Sequence, residues 1–194
     1  MNKNLLNVLK QLQRDKAYLE QEEKTIKDAF EKIKREIIEE FNNHPVTIEI
    51  EMGIAAENIS GTLSGITNLY SFIGFRAGEK PVEPIRELLE KSTYRIIRLP
   101  GIAKAKFSFD TPTAKEIFKE TPMPPEWSVG RSWAKGIETG ISGIGYYLRT
   151  ERGSRSGFGI QAKNKTRRGI RFKNIKYISY LINKFEKELK KIDT

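Results

Sequence analysis

The chain predicts an α+β fold, in which a long N-terminal helix and a C-terminal helix pack on one face of a small, mostly antiparallel sheet. Three observations carry this. Apolar residues recur at helical spacing near both termini, two stretches between them alternate apolar and polar residues, and Pro and Gly stand where connections need to turn. The 194 residues suffice for one core of ordinary size with an appended element. The division read from the pattern is a helix over 1–42 and one α+β folding unit over 43–194.

Residues 4–42 carry Leu5, Leu9, Leu12, Leu19, Ile26, Phe30, Ile33 and Ile37 at alternating spacings of four and three, with Lys16 and Glu23 interrupting the seam. Ile38 and Phe41 widen the stripe in the second half, as a helix entering a core requires. Asn42, Asn43 and Pro45 stop it. A rod of this length, roughly 57 Å at 1.5 Å per residue, exceeds the domain it joins, so another helix pairs along it or part of it projects.

Val46, Ile48, Ile50 and Met52 alternate with Thr47, Glu49 and Glu51, which predicts a half-buried strand. Residues 53–75 hold four glycines, yet Leu63, Leu69, Tyr70, Phe72, Ile73 and Phe75 are too apolar for a solvated loop, so a packed irregular segment is expected. Pro81 and Pro84 introduce a short helix ending at Lys91, with Ile85, Leu88 and Leu89 inward. Residues 94–99 and 103–109 flank Pro100-Gly101 as a hairpin, and Thr113 with Glu116 forms a capping box that opens another short helix. A small-residue helix is predicted over 131–148, with Trp133, Ile137, Ile141, Ile144 and Leu148 on one face. Its glycines suggest close approach of a neighbouring backbone or, equally, a shorter helix, and Trp133, Gly136 and Gly140 are candidates for a subunit contact. The last helix, 174–192, shows Ile175, Ile178, Ile182, Phe185, Leu189 and Ile192, and is expected to pair with the first through Phe30, Ile33 and Ile37.

The chain has no cysteine, which excludes disulfides, thiolate catalysis and Cys-ligated metals. No stretch approaches the ~20 apolar residues of a membrane span, so the chain reads as soluble and made in a reducing cytoplasm. The single histidine, His44, lies among helix-stop residues and is expected to act as a cap or loop residue rather than a general base. Carboxylate pairs such as Glu22-Glu23 and Glu39-Glu40 lie in an evenly mixed charge pattern and read as a solvated helix face. Gly157-x-Gly159 has basic, strand-like flanks instead of the strand-then-helix βαβ context that a dinucleotide loop needs. No enzyme site, metal site or cofactor is indicated.

The informative feature is charge. Residues 149–173 hold nine Lys or Arg against one acid, Glu151, so a net +8 of the chain's +10 lies in this run. Arg149, Arg152, Arg155, Lys163, Lys165, Arg167, Arg168, Arg171 and Lys173 suit contact with phosphate or an acidic partner. Arginine, whose guanidinium forks onto phosphate, supplies six of the nine. A solvated loop serving solubility is the alternative. Only Phe158 and Phe172 interleave, so a base-stacking platform is not supported, and contact would be with the backbone irrespective of sequence.

Residues 100–194 resemble bacteriophage head–tail connector proteins, the tail-completion or neck family. TPMPPEWSVGRSWAKGIETGI parallels the family's helix entry, SRSGFGIQAKNK its basic glycine-rich β segment, and FKNIKYISYLINKF its terminal helix. Of the family's Asp-Thr-Gly-x-Leu entry only Gly130 is matched. The resemblance implies a virion structural protein, made in the host cytoplasm, that forms a homo-oligomeric ring around the DNA channel. Portal, connector or tail proteins would be its neighbours, and no membrane would be involved. The competing expectation is a basic accessory protein that binds nucleic acid through its backbone.

Overall fold

Among the described residues, the apolar stripe of the N-terminal helix is half-buried at Leu19 and buried from Ile26 onward, while Leu5, Leu9 and Leu12 lie outside them. The computed structural model describes Asn7 and residues 16–63, 67–97, 106–124, 130–141, 148–149, 160–161 and 172–192. Helix α1, Lys16–Asn42, buries Ile26, Phe30, Ile37 and Phe41, while none of residues 17–25 is buried. At 1.5 Å per residue α1 is about 40 Å long, so roughly its first third stands clear of the core.

The strand expected over Val46–Met52 is a helix. In α2, Pro45–Glu51, proline occupies the first turn, where its missing N–H costs nothing, and the His44 side chain caps it by accepting from the Val46 N–H at 3.3 Å. Val46 and Ile50, four apart, share the buried face, but Thr47 and Glu49 are buried too and Met52 is 53% exposed. Period-2 patterning assumes that polar means outward. Here two polar side chains turn inward because they have partners: Thr47 Oγ1 lies 2.9 Å from the Tyr177 hydroxyl, and Glu49 holds the following loop.

A 3₁₀ turn, Gly53–Ala55, leads into the packed irregular segment, and every apolar residue expected inward there (Leu63, Leu69, Tyr70, Phe72, Ile73 and Phe75) is buried. Helix α3, Leu69–Ile73, is capped by Asn68, which accepts from Ser71 N–H at 2.8 Å, and it ends at Gly74 with φ of +93°. Helix α4, Glu83–Glu90, follows Pro81 and buries Ile85 and Leu89.

Strands β1, Thr93–Ile97, and β2, Lys106–Asp110, pair antiparallel with Ile96 opposite Phe107 and Tyr94 opposite Phe109. Phe30 stacks on Phe109 at 6.0 Å and meets Tyr94 at 5.2 Å, which seats this pair on α1. Helix α5, Ala114–Lys119, opens with the expected reciprocal capping box of Thr113 and Glu116.

Residues 121–123 then run antiparallel to 131–133, with Met123 N–H donating to Arg131 O and Trp133 N–H to Thr121 O. The helix expected over 131–148 is shorter: α6 is Trp133–Thr139. Gly140 ends it with φ of +98° and ψ of 131°, a conformation closed to other residues, although the apolar spacing runs on through buried Ile141. Ile144 lies outside the described residues, and Leu148 belongs to β3, Leu148–Arg149, which pairs antiparallel with β4, Ile160–Gln161.

Helix α7, Ile178–Lys190, buries Ile178, Leu181, Ile182, Phe185 and Leu189, and it packs along α1 as the two seams predict. One core cluster joins Phe30, Ile37 and Phe41 to Ile178, Ile182 and Phe185, with Ile33 at its margin. A Lys184–Glu40 ion pair at 2.5 Å closes the outer edge of that contact. Among the described residues the architecture is mostly helical, with two small antiparallel pairs.

Candidate interaction surfaces

Three polar fixtures set the geometry around the basic run. Glu49, wholly buried, accepts from the backbone N–H groups of Ser60 and Leu69, both at 2.7 Å, and from Asn58 Nδ2 at 3.0 and 3.3 Å. That clasp orders the loop carrying Thr62, whose carbonyl accepts from the Lys173 N–H at 2.8 Å. Glu138, on α6, accepts from both the N–H and the hydroxyl of Ser179 at 2.6 Å, and so caps α7, whose own N-cap residue Tyr177 makes no capping side-chain bond. His44 Nδ1 accepts from Val46, so Nε2 carries the proton and donates to Lys176 O at 3.0 Å. Burial holds this imidazole below its ordinary pKa, opposed by the Lys176 carbonyl and the Glu40 charge. His44 is thus the cap residue expected.

Phe172 stacks on Phe72 at 5.7 Å, Ile175 N–H donates to Ile137 O at 3.3 Å, and Asn174 lies against Gly140. Ile141 is buried in the same core. The two ends of the stretch 142–171 therefore meet at one place, at the end of α6. Of the nine basic residues in the run, Arg149 lies in β3 and Lys173 is exposed beside Thr62. Arg152, Arg155, Lys163, Lys165, Arg167, Arg168 and Arg171 lie outside the described residues.

The subunit contact expected at Trp133, Gly136 and Gly140 needs correction at Trp133. Trp133 is 1% exposed, edge-on to Phe75 at 5.8 Å and against Tyr177, so its surface is spent inside its own chain. The close approaches foreseen at the glycines are also intramolecular and are made by side chains: a Cβ on Gly136 would meet Ile141 Cγ1 at 2.9 Å, and one on Gly140 would meet Asn174 Oδ1 at 3.3 Å.

Sequence patterning gave no sign of a second surface. An open groove of about 820 Å³ lies between α1, the end of α4 and β1. Phe30, Tyr94 and Ile96 supply its apolar lining and Glu23, Glu31 and Glu90 its carboxylates. Its two cations are engaged, since Lys34 Nζ donates to Ser92 O at 3.1 Å and Lys91 pairs with Glu87 at 3.5 Å. Burial first, and then the charges of Glu23, Glu31 and Asp28, push the Tyr94 hydroxyl pKa up. The residues around this groove come from segments far apart in sequence, so no local motif announces it.

Among the described residues no three His, Asp or Glu side chains cluster as a metal site would, and no helix is long and apolar enough to cross a membrane. Comparison with known proteins returns no match to a protein-family model, a curated protein or a solved structure.

Proposed function

We propose that the chain is a structural subunit of a bacteriophage head–tail connector or neck, assembling into a ring around the DNA channel and acting by contact rather than catalysis. The observation that carries the reading is the concentration of charge, a net +8 within residues 149–173, in a part of the chain whose flanking residues Gly140 and Asn174 lie together on the core and whose last residues, Phe172 and Lys173, are held by Phe72 and Thr62. Repeated around a closed ring, a few arginines per subunit make a positive collar, and no single copy needs to hold DNA tightly. Loose contact suits DNA that has to slide. The order of elements over residues 100–194 supports a connector in particular: a helix entered from a proline cluster, a basic glycine-rich segment, then a terminal helix.

Native mass measurement of the purified chain, alone and with portal or tail proteins, tests the reading. A closed homo-oligomer, or one formed only with those partners, is expected. A chain that stays monomeric with every partner and binds free duplex at sub-micromolar Kd in physiological salt would be a nucleic-acid-binding accessory protein instead.

A further inference from the structure

The groove beside β1 has the composition of a peptide-docking site. β1 pairs with β2 on one side and with no described strand on the other, and a strand edge is a template for an added strand. The groove runs along β1, with Tyr94, Ile96 and Phe30 offering apolar surface. Glu23, Glu31 and Glu90 make no ion pair among the described residues, while the neighbouring cations Lys34 and Lys91 have their own partners. An extended, cationic occupant fits this arrangement.

The chain itself contains one. Residues 162–171 hold Lys163, Lys165, Arg167, Arg168 and Arg171 and no acid. Fully extended they would reach roughly 33 Å, ample for β1, whose five residues span about 17 Å. We propose that the groove receives the cationic stretch 162–171 of a second copy of the chain. Each subunit then docks its basic stretch on the acidic groove of the next. The inference rests on the ring reading above and specifies its contact. Two different patches meet, so the interface is head-to-tail, the kind that propagates from copy to copy and closes as a ring where the rotation allows. The first part of the run, with Arg149, Arg152 and Arg155, stays available to DNA.

The experiment uses the full-length chain and a labelled synthetic peptide of residues 162–171. The chain is tested as wild type and with Glu23→Gln, Glu31→Gln and Glu90→Gln together. These side chains are solvent-facing or partly so, and far-UV circular dichroism checks that the fold is kept. Saturable binding is expected, weakening with salt and about tenfold weaker to the triple variant. Native mass should show the triple variant losing assembly. Carbodiimide coupling in an equal mixture of light and heavy-isotope chains should join Lys163 or Lys165 of one isotope to Glu23, Glu31 or Glu90 of the other. Equal peptide affinity for both proteins, or coupling confined to single chains, would overturn the assignment. An assembly that survives the triple substitution would overturn it too, while leaving the ring standing. Peptide capture that depends on the three glutamates, in a chain that never forms a ring, would instead keep the groove and remove the ring.

Discussion

His44 and Glu49 show how much of this structure depends on single polar side chains facing inward. His44 is neutral by construction, because its Nδ1 already accepts from Val46 N–H and a second proton there would face that donor. An unfolded histidine titrates near ~6.5 and the folded one lower, so the unfolded chain binds the proton more readily. The His44 contribution is therefore complete above pH ~6.5 and declines as pH falls through the lower folded value. Thermal melts from pH 8 to 5 should show a wild-type loss of stability on acidification that is smaller in His44→Asn. Glu49→Ala should cost more, about 3 kcal/mol, because it removes the acceptor of the buried Leu69 N–H and the part-buried Ser60 N–H. Urea melts of that variant check it, and an unchanged midpoint would mean that other groups satisfy the loop. At Gly140 an alanine has to adopt φ near +98° and crowd Asn174, so Gly140→Ala should destabilise by about 1–3 kcal/mol in the same assay.

Among the elements, the pairing of α1 with α7 sustains the core. Ile182→Ala, at a site 3% exposed, should cost about 2–5 kcal/mol in chemical denaturation, and near-zero change would contradict the packing. This contact was legible in the sequence because both stripes keep helical spacing for several turns and neither is stable exposed. The antiparallel pairing of β1 with β2 and the α5 capping box were legible for similar reasons, since alternation and a four-residue cap signature are local, while the turn expected at Pro100-Gly101 lies outside the described residues. What failed was also local in origin. VTIEIE satisfies period 2 and also places Val46 and Ile50 on one helical face. The choice was made by the Pro45 start and by distant partners for Thr47 and Glu49, namely Tyr177, Ser60 and Leu69. The overlong α6 failed the other way, as Ile141 keeps the helical stripe while Gly140 breaks the helix. The groove had no local signal because α1, α4 and β1 meet there only in the folded chain. The charge run was plain in composition, and its anchoring by Thr62 and Phe72 was not.

For the whole molecule, charge is the lever. A run with net +8 should bind duplex DNA weakly, without sequence preference and with steep salt dependence, each neutralised phosphate releasing counterions. Replacing Arg149, Arg152 and Arg155 with alanine should flatten that salt slope in a fluorescence titration and leave the assembly intact, since the docking stretch 162–171 is untouched. A slope equal to wild type would place the DNA contact elsewhere. The central claim, a ring-forming structural subunit, is tested most directly by the native mass of the assembly. A closed homo-oligomer of defined copy number, formed by the chain alone or with portal and tail proteins, is the predicted result. A monomer under all of those conditions would contradict it.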